Sequence, residues 1–254
     1  MKKFLFVIAR YNDHRMVDFD TKISPRNKEY CNAHGFKYIE VRNDSHLPIF
    51  RGNPTWWKFT ILNEAIDSGK VQDGDIVTHL DADMYIVKMN KPYVSGKSFS
   101  YSIDCGNTHC MGNYSVTINE WSRKLIKNIL SEERYRKLNN VDTLEPTSNT
   151  ISSFWQNFRE QASWYSLAGI QRHSWTPFFE LPNLGFHSHQ TEDTVYSLQE
   201  LQQHVEPLPS TWNTTHDYDS QDRFNINKVQ EKDVIIRHFA GHQPWNVDKW
   251  KQLS

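Results

Sequence analysis

A chain of 254 residues can bury a substantial core as one large α/β domain. Its 29 Lys and Arg balance 30 Asp and Glu, so no net field favours nucleic acid or an anionic membrane, and any phosphate it binds must be held by a local site. Three cysteines, Cys31, Cys105 and Cys110, are too few and odd in number for a disulfide framework, and no apolar run reaches the ~18 residues of a membrane span.

The first predicted element is a buried strand over the apolar run FLFVIA, Phe4 to Ala9, with Arg10, Tyr11, Asn12 and Asp13 following as loop. MKKFLFVIARYND has too short an apolar core before its charges to be a signal peptide. The expected location is therefore cytoplasmic, with peripheral attachment to a membrane left open. Ser24-Pro25 predicts an N-cap followed by proline at the first helical position, and Gly35 a stop, giving a helix over 25–34. FKYIEV, 36–41, is the second strand. Asn53-Pro54 opens a second helix with Trp57, Ile61, Leu62, Ala65 and Ile66 on one face, closed by Asp67-Ser68-Gly69. The third strand, Ile76 to Leu80, ends in the acids of HLDADMY.

This alternation predicts an α/β fold with a mainly parallel sheet, flanked by helices, whose ligands sit at the carboxyl ends of the strands. Beyond residue 90 the pattern is less regular. Helices are expected over 120–130 and near 159–167, loops over 139–153 and 203–221, and a last strand in DVIIRHF.

Asp81 and Asp83, at i and i+2 beyond a strand, can share a hard divalent cation whose shell is completed by phosphate oxygens. A solvated turn also accommodates such a pair, and the haloacid-type phosphotransferases place a nucleophilic Asp in a similar D-x-D, which would make Asp81 the nucleophile. In that fold the motif follows the first core strand, whereas here about 80 residues of α/β pattern precede it. His238, in RHFAGHQPW, could complete a site begun by the two acids, since a neutral imidazole ligates Mn²⁺. A hydrogen-bonded structural histidine is the plainer account of it.

The order of blocks HLDADMYI, GNYSVTINEWSRKLI, FREQASWYSLAG and HFAGHQPW, with NKEYCNAHGFKYI and WWKFTIL upstream, resembles metal-dependent nucleotide-sugar glycosyltransferases of the GT-A fold. The nearest family pattern is that of the galactosyl- and xylosyltransferases that include xyloglucan α-1,6-xylosyltransferases; the glycogenin-like family is more distant. The resemblance implies one domain over 1–254, with 1–90 as the nucleotide-sugar half ending in D-x-D and 91–254 as the acceptor half. It also implies Mn²⁺ (or Mg²⁺) on Asp81, Asp83 and His238, a UDP-sugar donor, a glycan or glycolipid acceptor, and retention of anomeric configuration. Asp81 would also face the donor diphosphate. Glu160 and Gln161 match an acid-Gln pair that approaches the donor sugar, Arg10 and Tyr11 lie where the first strand meets the nucleotide, and Lys58 falls on a family lysine. Two departures stand out: Gln243 replaces the usual lysine before proline, leaving His242 or Arg237 to supply charge, and Glu160 replaces the usual Asp.

Other readings use some of the same residues. Cys105 and Cys110 with His109, His238 and His242 mimic the halves of a zinc site, although small buried cysteines account for the pair as well. HSHQTED, 187–193, could meet acceptor hydroxyls or, with Thr191 as cap, open a helix in DTVYSL. Trp56, Trp57, Trp164, Trp212 and Trp245 could form an acceptor platform, with most of them expected in the core. A sugar-nucleotide or glycan-binding module without turnover is the non-enzymatic alternative. No phosphate-binding glycine motif is present, which argues against a P-loop kinase or a nicotinamide enzyme.

Overall fold

The structure, a computed structural model, describes residues 1–10, 14–42, 54–93, 96–134, 159–171, 175–215 and 225–239. The expected loop over 139–153, together with Tyr11, His242, Gln243 and Trp245, lies outside the described residues.

Strand β1 (Lys3–Ile8) is followed by helix α1 (His14–Asp18), a π-helical turn (Phe19–Ile23) and helix α2 (Ser24–His34). Ser24 is therefore not an N-cap: Asp18, Ile23 and Ser24 all have right-handed helical dihedrals, and Ser24 is buried and hydrogen-bonded to Glu40. Helical structure continues into Pro25 because a wide π turn precedes it and a proline near the start of a helix forfeits no essential N–H. Gly35 ends α2 at φ 70°, its N–H bonding Cys31 O, as the stop signal predicts.

Then come β2 (Lys37–Val41), a 3₁₀ turn (Pro54–Trp56), α3 (Trp57–Asp67), β3 (Ile76–Leu80) and β4 (Met84–Ile86). Two central strands follow for which the sequence offers no period, β5 (Phe99–Ile103) and β6 (His109–Thr117). Both are buried nearly throughout, and Ser100, Ser102, Asn113 and Ser115 stand where an apolar run would have marked them.

Helix α4 (Glu120–Ile129) is fixed by a reciprocal cap between Asn119 and Ser122, and α5 (Arg159–Ala168) ends at Gly169 with φ 63°. The helix expected to start after Thr191 begins later, as α6 (Leu198–His204). Ser197 and Glu200 form its capping box, while Thr191 and Thr194 close a separate turn. Residues 203–221 are not all loop: β7 (Val205–Leu208) and β8 (Thr214–Thr215) lie there, and β9 (Ile236–His238) comes last. Pro207 hid β7, but an edge strand tolerates a missing N–H.

The main sheet runs β2-β1-β3-β6-β5-β7, with β6 alone antiparallel to the rest. One face packs on α3, α4 and α5 through residues such as Phe59, Tyr114, Leu125 and Trp164; the other packs on α2 and a small second sheet, β4-β9-β8. Trp56, Trp57 and Trp164 are core residues, and Trp212 is half-buried against Tyr93. Full burial of each large apolar side chain contributes about 1.5–3 kcal/mol, so these two layers hold the sheet edge rigidly beneath Asp81.

Candidate active site

The small sheet brings distant segments together. Strand β4 starts one residue after Asp83 and pairs antiparallel with β9 in a register that sets Met84 against His238. Phe239 N–H then donates to Asp83 O at 2.9 Å, locking the two segments. In consequence one ligand atom from each of Asp81, Asp83 and His238 lies within 4.8 Å of the others. His238 Nε2 is 3.5 Å from Asp83 Oδ1, and His238 Nδ1 is 2.8 Å from Asn213 Oδ1. An amide oxygen accepts, so Nδ1 carries hydrogen and Nε2 is the atom turned toward the acids. Burial opposes charge on His238, but Asp83 outweighs it and raises the pKa well above its ordinary value. Two carboxylates and one imidazole form a donor set that fits a divalent ion such as Mn²⁺ or Mg²⁺.

Asp81 is held from behind. Its Oδ1 accepts from Lys58 Nζ at 3.0 Å and from His79 Nε2 at 2.9 Å. His79 is fully buried, which lowers its pKa, so the neutral ring donates through Nε2–H. Burial also opposes ionisation of Asp81, yet Lys58, His79 and His238 together keep it well below the usual carboxylate range. Lys58, only 4% exposed, also lies 3.3 Å from Glu160 Oε1 and donates to Met111 O at 3.3 Å. Burial alone would remove its proton; Asp81 and Glu160 reverse that and raise its pKa. Glu160 is thus tied to the acid pair through a lysine, and its Oε2 is buried without a hydrogen-bond partner among the described residues.

Gln161 is 6% exposed, and both ends of its amide are engaged: Met111 N–H donates to Oε1 at 3.3 Å, and Nε2 donates to Tyr165 Oη at 3.2 Å. Arg10 lies over the Trp57 ring at 4.5 Å and lines, with Lys58, Asp81 and Asp83, a cavity of about 260 Å³. Arg237 points elsewhere, to Glu231 at 2.5 Å. Tyr11, His242 and Gln243 are outside the described residues, so the structure gathers the remaining predicted residues into one neighbourhood without them. Cys105 and Cys110 are free thiols, and neither belongs to the group of Asp81, Asp83 and His238 that could hold a metal ion.

No protein-family model and no curated protein matches this sequence. Among solved structures, the chain is similar to a glycosyltransferase involved in the glycosylation of the major capsid of PBCV-1, with a TM-score of 0.55 and 12% identity over 99% of this chain and 100% of that one. This chain shares the fold of that glycosyltransferase. The glycosyltransferase GlyE of Streptococcus pneumoniae TIGR4 aligns at TM-score 0.49 and 12% identity, covering 100% of this chain and 60% of that one. Mouse xyloside xylosyltransferase 1 aligns at TM-score 0.40 and 12% identity, covering 96% and 99%.

Sequence reasoning missed three residues that shape the acid pair. Gly112 sits in an irregular stretch of β6, where Tyr101 pairs with Tyr114 but Ser102 already pairs with Cys110. The extra residues bring Gly112 O to Asp81 N–H at 2.7 Å. A glycine inside a strand pattern, GNYSV, was the available signal. Asn213 orients His238, and nothing local in LPSTWN marks it. His79 alternates with two buried neighbours and reads as core until its Nε2 is seen on Asp81.

Proposed function

We propose that this chain is a metal-dependent glycosyltransferase that moves a sugar from a nucleoside diphosphate donor, of the UDP class, to a glycan or glycolipid acceptor. The convergence of Asp81, Asp83 and His238 at the carboxyl end of β3 carries this reading, because that edge is where an α/β sheet takes its ligand. In it the whole chain acts as one domain. Asp81, Asp83 and His238 would hold the ion, Mn²⁺ or Mg²⁺. When bound, the ion supplies positive charge against the negative charge that grows on the departing diphosphate.

The chain's own groups would divide the remaining tasks. Lys58 and His79 fix the Asp81 carboxylate through Oδ1, so that it would meet an ion already oriented. Asn213 keeps the His238 ring turned. Arg10 and Lys58 line the cavity beside the acids and contribute cationic character for a diphosphate. Gln161, clamped by Met111 and Tyr165, would face the donor sugar, with Glu160 behind it holding Lys58. Retention of configuration and hexosyl or pentosyl transfer belong to the reading through the resemblance to the galactosyl- and xylosyltransferases. No described helix is long and apolar enough to cross a membrane.

The test is nucleotide release from a panel of UDP-sugars with Mn²⁺, with Mg²⁺ and with chelator. Metal-dependent release of UDP from at least one donor supports the proposal; absence of release and of metal-dependent UDP binding removes it.

A further inference from the structure

A second cavity, of about 230 Å³, lies beside the start of β6. One wall is His109, 2% exposed; another is the segment from Leu181 to Ser188. His109 Nδ1 is 2.6 Å from Tyr101 Oη, which leaves Nε2 as the ring nitrogen on the cavity side. That nitrogen faces the opposite wall, since a β-carbon on Gly185 would lie 3.5 Å from it. A ring nitrogen turned into a cavity favours a ligand that can bond to it. A hydroxyl does so whichever ring nitrogen carries hydrogen, because it both donates and accepts.

The rest of the lining fits the same chemistry. Asn107, Gln171, Asn183 and Ser188 supply neutral polar groups, and Leu181, Pro182 and Phe186 an apolar floor. No Asp, Glu, Lys or Arg is among the described residues lining it, and burial drives the His109 pKa down to about 3, so that ring is uncharged. Neutral amides and hydroxyls over an apolar surface suit a sugar ring, with its hydroxyl rim and its C–H face, better than an ionic ligand. The wall is also held in an unfavourable backbone form: Asn183, Leu184 and His187 have φ of 51°, 56° and 59°. Each such residue costs roughly 1–3 kcal/mol, and strain of this kind concentrates at ligand-binding segments. His187 secures it by bonding Tyr196 O at 2.8 Å, and His189 N–H bonds Gly169 O at 2.9 Å.

Position links the cavity to the acid pair. Tyr165 Oη donates to His109 O at 3.1 Å and receives Gln161 Nε2, Met111 N–H reaches Gln161 Oε1, and Gly112 O holds Asp81 N–H. Residues 109 to 112 thus join the two places over at most roughly 10 Å of strand. We propose that this cavity binds one ring of a neutral saccharide through His109, Asn183 and Gln171, as the acceptor subsite of the transfer reaction. The acceptor role rests on the glycosyltransferase reading given above; the saccharide site does not.

The test titrates the wild-type chain and the double variant Gln171→Ala/Asn183→Gly, without metal, against neutral methyl glycosides of the gluco, galacto, manno and xylo series, followed by saturation-transfer NMR. Both positions are exposed and glycine keeps the left-handed backbone at 183, so an unchanged melting temperature should certify the fold. The expected result is binding of at least one glycoside, weakened tenfold or more in the variant. Equal affinity in the two chains, or no glycoside bound by the wild type, overturns the proposal. UDP release by the wild type is measured separately: its absence alongside variant-sensitive glycoside binding removes the transfer reaction and leaves the saccharide site standing.

Discussion

Gly112 approaches Asp81 so closely that a β-carbon at position 112 would lie 2.5 Å from Asp81 Oδ2 and 3.1 Å from its carboxyl carbon. Real β-carbons do not come that near, and the Met84 methyl, 3.0 Å away, closes the other side. The hydrogen at position 112 therefore sets where the first acid can stand. Gly112→Ala should displace the Asp81 carboxylate and lower metal-dependent donor turnover on the order of 100-fold, the usual cost of a misplacement near 1 Å. Steady-state rates across a metal titration, on a chain whose circular dichroism matches the wild type, check this; a rate within a factor of three would dissociate Gly112 from the site.

Asp83 is half-buried, lines the cavity and belongs to neither hydrophobic cluster. Asp83→Ala should abolish metal-dependent turnover while leaving stability within about 1 kcal/mol. Parallel measurement of UDP release and urea unfolding decides it.

Asn213 holds the ring that faces the acids, and it is itself fully buried. Partners of this kind typically change metal affinity by about 10- to 100-fold. Asn213→Ala should weaken Mn²⁺ binding by that factor in calorimetric titration, and His238→Ala by at least as much. Wild-type affinity in either variant would count against the histidine as a ligand.

Lys58 neutralises two carboxylates at once, so its loss strands the buried Glu160. Removing one partner of a buried pair costs about 3–5 kcal/mol; with Asp81 partly open to solvent the lower end is expected for Lys58→Met. Adding Glu160→Gln should restore part of the loss. Denaturant unfolding of the two single variants and the double variant gives the coupling directly, and strictly additive effects would show that the pair does not interact.

Asp104, 8% exposed, is pushed up to about 6 by burial, even though Oδ1 accepts N–H groups from Gly106 and Thr108. The folded chain binds this proton more tightly than the unfolded chain, whose aspartate titrates at 3.8. Its contribution is therefore full below about pH 4 and is lost as pH rises through about 6, a difference of about 3 kcal/mol. Asp104→Asn keeps an acceptor oxygen and removes the charge, so the variant should gain stability relative to wild type as pH rises from 4 to 7. Urea midpoints across that range provide the check.

The first third of the fold was legible because its signals are local. FLFVIA and DIVTHL are apolar runs of strand length, Gly35 and Gly69 are stops, and the acids follow β3 directly. Strands β5 and β6 escaped because several of their buried positions are filled by serine, asparagine and tyrosine, among them Ser115, whose hydroxyl pairs with that of Thr78, and such residues do not announce burial by hydrophobicity. Lys58 did leave a trace, a charge on the apolar face of α3, but only its two carboxylate partners explain why burial is tolerated.

The sequence by itself determined which residues could bind an ion: two acids one residue apart, set by the strand that precedes them. It also offered His238, 155 positions after Asp83, as a third ligand through the resemblance, but it could not fix the geometry that turns that ring toward them. That was decided by the pairing of β4 with β9, by the irregularity in β6 that admits Gly112, and by the buried Asn213 that turns the ring. Periodicity and caps depend on neighbours within a few residues, whereas the register between two three-residue strands depends on the packing of the whole domain around them.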